Sequence, residues 1–387
     1  MKILLVAAKD FCVEDIRDAF EFENNRVIKH ICTQDDMLNP DSEEVKSLVI
    51  KEGVDVLFTF NYFPTFAKIC NELAIRYVSW VYDNPRVHLF SCTAILPTNT
   101  IYVFEKDVAD YFQLQGIETV HYLPLAANPL RLAKNISDNM TQNTVYSQPK
   151  DVSFVGSMYT EEHQLYSRMI NKGISEYTFG YLRGLMNAQK KIYGCDIIMP
   201  ALTQDIIADM ENALPLGPDK DSVVTKEYLF AKYVIERQIT AEERMSLLSM
   251  AGKKFDVHVF TVDPKTNIIN CTNHGPAHSD FEAPAVFNSS KINLNISLRS
   301  IVNGMPLRIF EIMGSGGFLL SNYQSELLDY FVPGEDFDYF DSPEDMIRKI
   351  EYYLEHDSIR QRIAANGLEK IKRNHTFYDR VKKMGLQ

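Results

Sequence analysis

No run of apolar residues in this sequence approaches the ~20 that a membrane-spanning helix needs. The apolar start, residues 3–8, is too short for the core of a secretory leader and runs into Lys9 and Asp10. Neither export nor a membrane span is therefore expected. Cysteine is sparse and dispersed, at positions 12, 32, 70, 92, 195 and 271. None of the six forms a C-x-x-C pair and no histidine stands at zinc-finger spacing from them, so free thiols in a reducing cytoplasm are the expectation. Basic charge is also short. The formal net charge is −12, and residues 1–128 carry 11 Lys and Arg against 19 Asp and Glu. That balance speaks against nucleic acid or an anionic membrane as a generic partner. It leaves room for a local phosphate pocket, which needs only one or two arginines. No G-x-G-x-x-G follows the first apolar run, so the dinucleotide fingerprint is missing as well.

What is present is ordinary globular material: 387 residues, 45% apolar and 24% charged, enough for two cores. Short apolar runs alternate with amphipathic stretches. Residues 3–7, 27–31, 54–60, 77–82, 101–104 and 119–123 read as strands, with helices over 13–22, 42–51 and 64–73. Continuous apolar strands separated by helices predict a parallel sheet covered on both faces. Residues 131–150 are polar and aperiodic and read as a linker. Beyond them, 152–155, 255–261, 291–296, 318–321 and 337–340 read as strands. Residues 161–251 are mostly helical, with a loop at 215–218. Thr240-Ala-Glu-Glu243 reads as a capping box opening one of those helices. Further helices begin near Met305, Pro343 and Ser358. The expected fold is α/β: two Rossmann-like domains, 1–130 and 151–370, facing across a cleft. The second carries the helical insertion 161–251. A final helix, 371–387, is expected to return to the first domain.

The stretch 295–321, NISLRSIVNGMPLRIFEIMGSGGFLLS, concentrates the chemistry. Gly304 and Pro306 bracket a turn into a helix, whose free N–H groups and positive dipole end suit a diphosphate. Arg308, near the helix start, can bind phosphate oxygens through its planar fork. Glu311, three residues on, can accept two ribose hydroxyls. Gly316 and Gly317 break the helix before a buried strand and let backbone approach a ligand. The same residues are compatible with plain structure, as a Gly-Gly turn and a surface i, i+3 pair.

From about Phe281 to Arg380, through INLNISLRSIVNGMPLRIFEIMGSGGFLLS, VPGEDFDYF and NHTFYDR, the chain resembles the C-terminal region of the CgeB-type (spore-maturation-protein-like) glycosyltransferases, a bacterial GT-B group. VSWVYDNPRVH and ADYFQLQGIETVHYLPLAANP resemble the domain that precedes it there. The resemblance implies a GT-B fold and transfer of a hexosyl or N-acetylhexosaminyl group from a nucleotide-diphosphate sugar, with UDP the expected nucleotide, to an acceptor nucleophile. It also implies that neither a metal nor another cofactor is needed. Many retaining GT-B enzymes carry two glutamates with seven residues between them. Glu311 matches the second, on the donor ribose, while Asn303 stands at the first, so that glutamate's role is not carried over. Retention or inversion stays unassigned. Two rivals share the same features: a sugar-nucleotide epimerase or hydrolase, and a non-catalytic nucleotide-sugar-binding protein.

The remaining candidates lie elsewhere in the chain. In Trp80-Val-Tyr-Asp83-Asn84-Pro85 the proline turns Asp83 and Asn84 out at the C-terminal edge of the first sheet. Asp83 is the expected catalytic group, with His88 nearby; plain turn chemistry is the alternative. Gly156 and Ser157, just after the first strand of the second domain, and Arg299, after a buried strand, complete the expected donor-binding set with Asn303, Gly304, Arg308, Glu311, Gly316 and Gly317. Arg299 also suits a structural ion pair. His274 and His278 stand four apart, but Gly275 and Pro276 oppose a helix, and metal binding is not expected there. Asp336-Phe-Asp338 reads as solvated surface. The acceptor is left open among protein, polysaccharide and small molecule, and the oligomeric state is unassigned.

Overall fold

The computed structural model describes residues 1–8, 12–142, 144–160, 164–218 and 220–386. Lys9 and Asp10, where the first apolar run was expected to end, lie outside the described residues. The first domain is built on strands β1 (Lys2–Ala8), β2 (Arg26–Cys32), β3 (Val56–Phe60), β4 (Arg76–Val81), β5 (Asn99–Val103) and β6 (Val120–Tyr122). They form one parallel sheet in the order β2-β1-β3-β4-β5-β6. The strands are parallel because each pair is joined by a crossover, which requires helices on the faces. That is why β1, β3 and β4 are apolar on both sides: Ile3, Leu4, Leu5, Leu57, Phe58, Val78 and Trp80 are all sealed from solvent.

The second domain repeats the plan with β7 (Lys150–Val155), β8 (Val257–Phe260), β9 (Cys271–Asn273), β10 (Ser290–Asn295), β11 (Leu319–Asn322) and β12 (Asp338–Phe340), in the order β12-β11-β10-β7-β8-β9 and parallel throughout. Strand order reverses between β1 and β3 in the first sheet and between β7 and β10 in the second. At such a reversal the connecting loops part to opposite sides and leave a crevice beyond the C-terminal strand ends. The C-terminal strand ends of the two sheets share one cavity, reached by Asp83 after β4 and by Gly156 and Ser157 after β7.

Four features differ from the sequence expectations. Residues 131–150 are not an irregular linker, because Pro129–Gln142 is a helix. Its Ile136 and Asn135 are buried, and Leu132 packs against the backbone at Gly314, where a Cβ would come within 3.0 Å of it. Tertiary packing supplies what its polar sequence does not advertise. Thr240 opens no helix. It lies inside Glu236–Gly252, and its hydroxyl donates back to the Glu236 carbonyl at 2.8 Å, the bond a mid-helix threonine makes. Asp336 and Asp338 are buried rather than solvated: Asp336 pairs with Lys370, and Asp338 takes bonds from Tyr353 at 2.7 Å and Lys349 at 3.0 Å. The edge strand β9 is three polar residues long and shows no alternation to read.

The chain ends by crossing back. After the helix Asp357–Asn374, a capping box at Thr376 and Asp379 opens Phe377–Met384, which packs on the first domain's helix Val13–Phe22. Arg380 fixes this return although it is almost wholly buried. It donates to the carbonyls of Pro124 (2.8 Å), Leu125 (3.0 Å) and Asn374 (3.0 Å), and to His375 Nδ1 (2.8 Å). Burial and the Arg380 charge pull His375 down to about 3, so its ring is neutral and accepts. Among the described residues no helix is long and apolar enough to cross a membrane. Replacing Arg380 by Met leaves buried carbonyls without donors. Since hydrogen bonds to charged groups contribute about 1.5–3 kcal/mol each, Arg380→Met is expected to destabilise the fold by about 3 kcal/mol or more, read as a lowered urea midpoint. An unchanged midpoint would contradict this role.

Candidate functional site

A cavity of about 370 Å³ lies in the crevice between the two sheets. Its floor in the second domain is the β7–β10 reversal. Gly156 and Ser157 leave the end of β7, and Asn295 and Ser297 leave the end of β10. One wall is cationic. Arg308 rises from the first turn of the helix Leu307–Gly314, while Arg237 and Arg244 project from the insertion, seven residues apart and so on one face of it. Arg244 is buried and anchored by its Nε to the Ile296 carbonyl at 2.9 Å, with Nη1 on the Ser157 carbonyl. Both Arg237 and Arg244 lie over the Tyr159 ring, at 4.7 and 5.0 Å. Burial holds Arg244 below the ordinary arginine value, and the neighbouring Arg308 adds to that. Converging cations of this kind, at the start of a helix whose first N–H groups point outward, are a setting for an anion.

The opposite rim belongs to the first domain. Asp83, just beyond β4, is exposed to the cavity, and its Oδ2 accepts from Asn61 at 2.8 Å. It is the one carboxylate among the residues that line this cavity. Beneath the junction Lys232 joins Asp196 (2.7 Å) and Glu236 (3.0 Å). Burial pushes Glu236 up to about 8 in spite of Lys232. Burial opposes the charge on Lys232, but the two carboxyl groups more than offset it and raise the amine to about 12. Lys232 sits in a π-helical turn, Phe230–Ile235, a distortion frequent at functional sites.

Residues 239–385 match a family described as glycosyl transferase-like. No curated protein sequence matches the chain. Among solved structures, sucrose-phosphate synthase from Thermosynechococcus elongatus is similar over 100% of this chain and 97% of its own, with 9% identity and a TM-score of 0.57. Anabaena HepE, solved in complex with UDP-glucose, is similar over 100% and 98%, with 10% identity and a TM-score of 0.54. A glycosyltransferase from Rickettsia africae covers 99% and 96%, with 10% identity and a TM-score of 0.50. The fold is GT-B.

Within this GT-B frame the expected site residues separate into two groups. Asp83, Gly156, Ser157 and Arg308 line the cavity. Glu311 does not; it is buried behind Arg308, whose Nη1 donates to it at 2.6 Å. Burial raises the Glu311 carboxyl, opposed by Arg308. Arg299 turns away from the cleft. Its guanidinium grips Glu243 at 2.5 and 2.6 Å, bonds the Ile192 carbonyl at 2.8 Å and stacks on Tyr193 at 4.0 Å, so it is a structural ion pair. His88 lies in a short 3-10 turn beside Phe63, with ring centroids 6.3 Å apart, and lines no part of the cavity. Gly316 and Gly317 stand at the far end of the helix, at the foot of β11 rather than at its cleft end. Gly316 turns the chain through φ +74, and a Cβ on Gly317 would fall 2.7 Å from the Phe287 carbonyl oxygen. Packing, not ligand approach, requires these glycines. His274 pairs with His258 at 2.7 Å. Arg237, Arg244, Tyr159 and Lys232 escaped the sequence reading. The spacing of the two arginines across two helical turns was the one signal for them.

Asn303 and Gly304 belong to the seam between the domains. Glu105, at the end of the first domain's β5 loop, accepts from the N–H groups of Val302 (2.7 Å) and Asn303 (3.1 Å), and from Asn84. The Asn303 side chain is taken up by Asp107 and by Ser325 at 2.6 Å. A Cβ on Gly304 would meet Glu105 Cβ at 3.0 Å and Phe104 at 3.2 Å, so glycine is needed where the domains touch. Glu326 closes the seam from the other side, accepting from the Lys106 N–H at 2.6 Å and the Tyr122 hydroxyl at 2.9 Å. Burial pushes Glu326 up from 4.5 to about 7. A carboxyl that holds its proton more tightly when folded stabilises most below its unfolded value and loses that contribution as pH rises through the folded one. The Tm of the wild type relative to Glu326→Gln, which cannot ionise, is therefore expected to fall between pH 5 and pH 7.5. A constant difference across that range would refute the shift.

Proposed function

We propose that this protein transfers a hexosyl or N-acetylhexosaminyl group from a nucleotide-diphosphate sugar, of UDP by preference, to an acceptor nucleophile. The observation that carries this is the convergence of Arg237, Arg244 and Arg308 at a helix start, on the β7–β10 reversal, opposite a single carboxylate. The match of residues 239–385 to a glycosyl transferase-like family and the UDP-glucose bound to Anabaena HepE support the donor class.

The diphosphate lies against Arg308 and the N–H groups of Leu307 and Arg308, with Gly156 and Ser157 lining its approach. Glu311 positions Arg308 rather than meeting solvent. As the bond between the anomeric carbon and the diphosphate oxygen breaks, the electron pair passes to that oxygen, and the fixed cations and helix end stabilise the growing charge. The acceptor oxygen bonds the anomeric carbon and gives its proton to Asp83. Arginines meet the diphosphate charge, so the proposed reaction needs no cofactor.

Thermal-shift titration against UDP, GDP, dTDP and CMP tests the donor site, because a ligand of the folded state raises Tm by mass action. UDP is expected to give the largest rise. Arg308→Ala is expected to weaken UDP about 10–100-fold, the value of one or two charge-assisted hydrogen bonds. Asp83→Asn is expected to slow UDP release from the sugar donor about 100-fold or more while nucleotide affinity holds. No shift with any nucleotide would overturn the proposal. A full shift in Arg308→Ala would overturn the site.

A further inference from the structure

A second cavity, of about 310 Å³, adjoins the donor cavity and shares Asp83, Asn84 and Lys232 with it. Its walls have a different chemistry. Leu89, Phe90 and Val108 come from the first domain; Met199, Val223 and Tyr228 come from the insertion of the second. Phe90 and Tyr228 pack with ring centroids 4.6 Å apart. The insertion is pinned across the chamber by backbone bonds, Val223 N–H to the Phe90 carbonyl and Cys92 N–H to the Asp221 carbonyl, both 2.8 Å. Val223 is 65% exposed and Tyr111 48%, and they mark a mouth to solvent.

Apart from Asp83, most polar groups around this chamber are already bonded within the protein. Asp107 is bonded by Asn303, Asp196 by Lys232, Glu105 by the seam, and the Thr225 hydroxyl caps the N–H of Tyr228. A sugar or peptide placed here would turn most of its hydroxyls or amides toward apolar side chains, at about 1–3 kcal/mol for each one left without a partner. An apolar body would gain from the same walls. The volume stands at the lower end of the roughly 300–1,000 Å³ that holds drug-sized molecules.

We propose that this chamber is the acceptor subsite, and that the acceptor is a small aromatic alcohol or phenol of one or two rings. It enters past Val223 with its hydroxyl leading toward Asp83. This inference rests on the glycosyl-transfer reading. The bond from the acceptor oxygen to the anomeric carbon forms as the bond from that carbon to the diphosphate oxygen breaks. The nucleoside diphosphate leaves with the electron pair, and the phenolic proton goes to Asp83. The products are an aryl glycoside and the nucleoside diphosphate.

The test is calorimetric titration of the full chain with 2-naphthol in the presence of UDP, with UDP alone as a separate titration. The expected result is one saturable 2-naphthol site. Met199→Trp, which fills the chamber, is expected to weaken it about tenfold or more, equivalent to 1.4 kcal/mol. Val223→Arg changes an exposed position, does not threaten folding, and is expected to weaken it similarly by placing a charge at the mouth. UDP binding without saturable 2-naphthol binding overturns the chamber assignment and leaves the transfer reading standing. So does 2-naphthol binding of equal strength in both variants. Absence of UDP binding overturns the transfer reading and the acceptor assignment together.

Discussion

A carboxyl group sealed between two domains must find donors, and Glu105 finds them on both sides of the cleft. Burial raises it above the usual carboxylate range, opposed by the N–H groups of Asn303 and Val302 and by the Lys232 charge. Removing one partner would strand a buried acid at a cost of several kcal/mol. The group thus ties the loop that carries Asp83 and Asn84 to the loop that leads into the helix of Arg308. Asn84 strengthens the tie by bonding the Ser300 carbonyl at 3.3 Å and accepting from its hydroxyl at 3.2 Å. The distance from the cationic wall to the carboxylate rim is set here, as is the shared edge of the two cavities.

The division of labour between the two cavities follows from what builds them. The cavity beside Arg308 lies over a strand-order reversal, where backbone leaves two adjacent strands in opposite directions and polar groups collect. Its lining is rich in charge. The neighbouring chamber is made where the insertion leans on the first domain, and side chains rather than strand ends line it. Its walls are largely apolar. The π-helical turn at Phe230–Ile235 lets one side chain, Lys232, touch both spaces while its charge is held by Asp196.

Much of the fold was legible because buried parallel strands are short, apolar and β-branched. Eleven of the twelve strands overlap apolar runs of the sequence, and Cys271–Asn273 does not because none of its three residues is fully buried. The helix Pro129–Gln142 was hidden for a related reason. Its sequence is mostly polar, and polar side chains, Arg131 on Asp15 and Asn135 on the Asp280 carbonyl, meet the protein beside Leu132 and Ile136, so no clean apolar stripe marks it. Thr240 carried the letters of a capping box but not the extended backbone, since the helix had already begun at Glu236. In the site, the end of a strand before a proline located Asp83, and a helix start located Arg308. Asn303 and Gly304 lie at the domain seam and Arg299 in an ion pair with Glu243; a polar or small residue at a seam looks, in one dimension, like a residue at a ligand. The arginines of the insertion were separated from the rest of the site by fifty or more residues of chain, and nothing local marks which face of a helix a cleft will use.

The two places where the chain passes between the domains lie side by side. Ala127, on the outward passage, donates to the His375 carbonyl at 3.1 Å and pairs with Thr376 on the return. A joint with one strap permits any rotation, whereas two adjacent, mutually bonded straps resist twisting and favour bending about a single axis. With Glu105 and Glu326 also bonded across the seam, straps and seam together resist twisting of one domain on the other. Whatever enters between Arg308 and Asp83 is presented to both in one relative orientation.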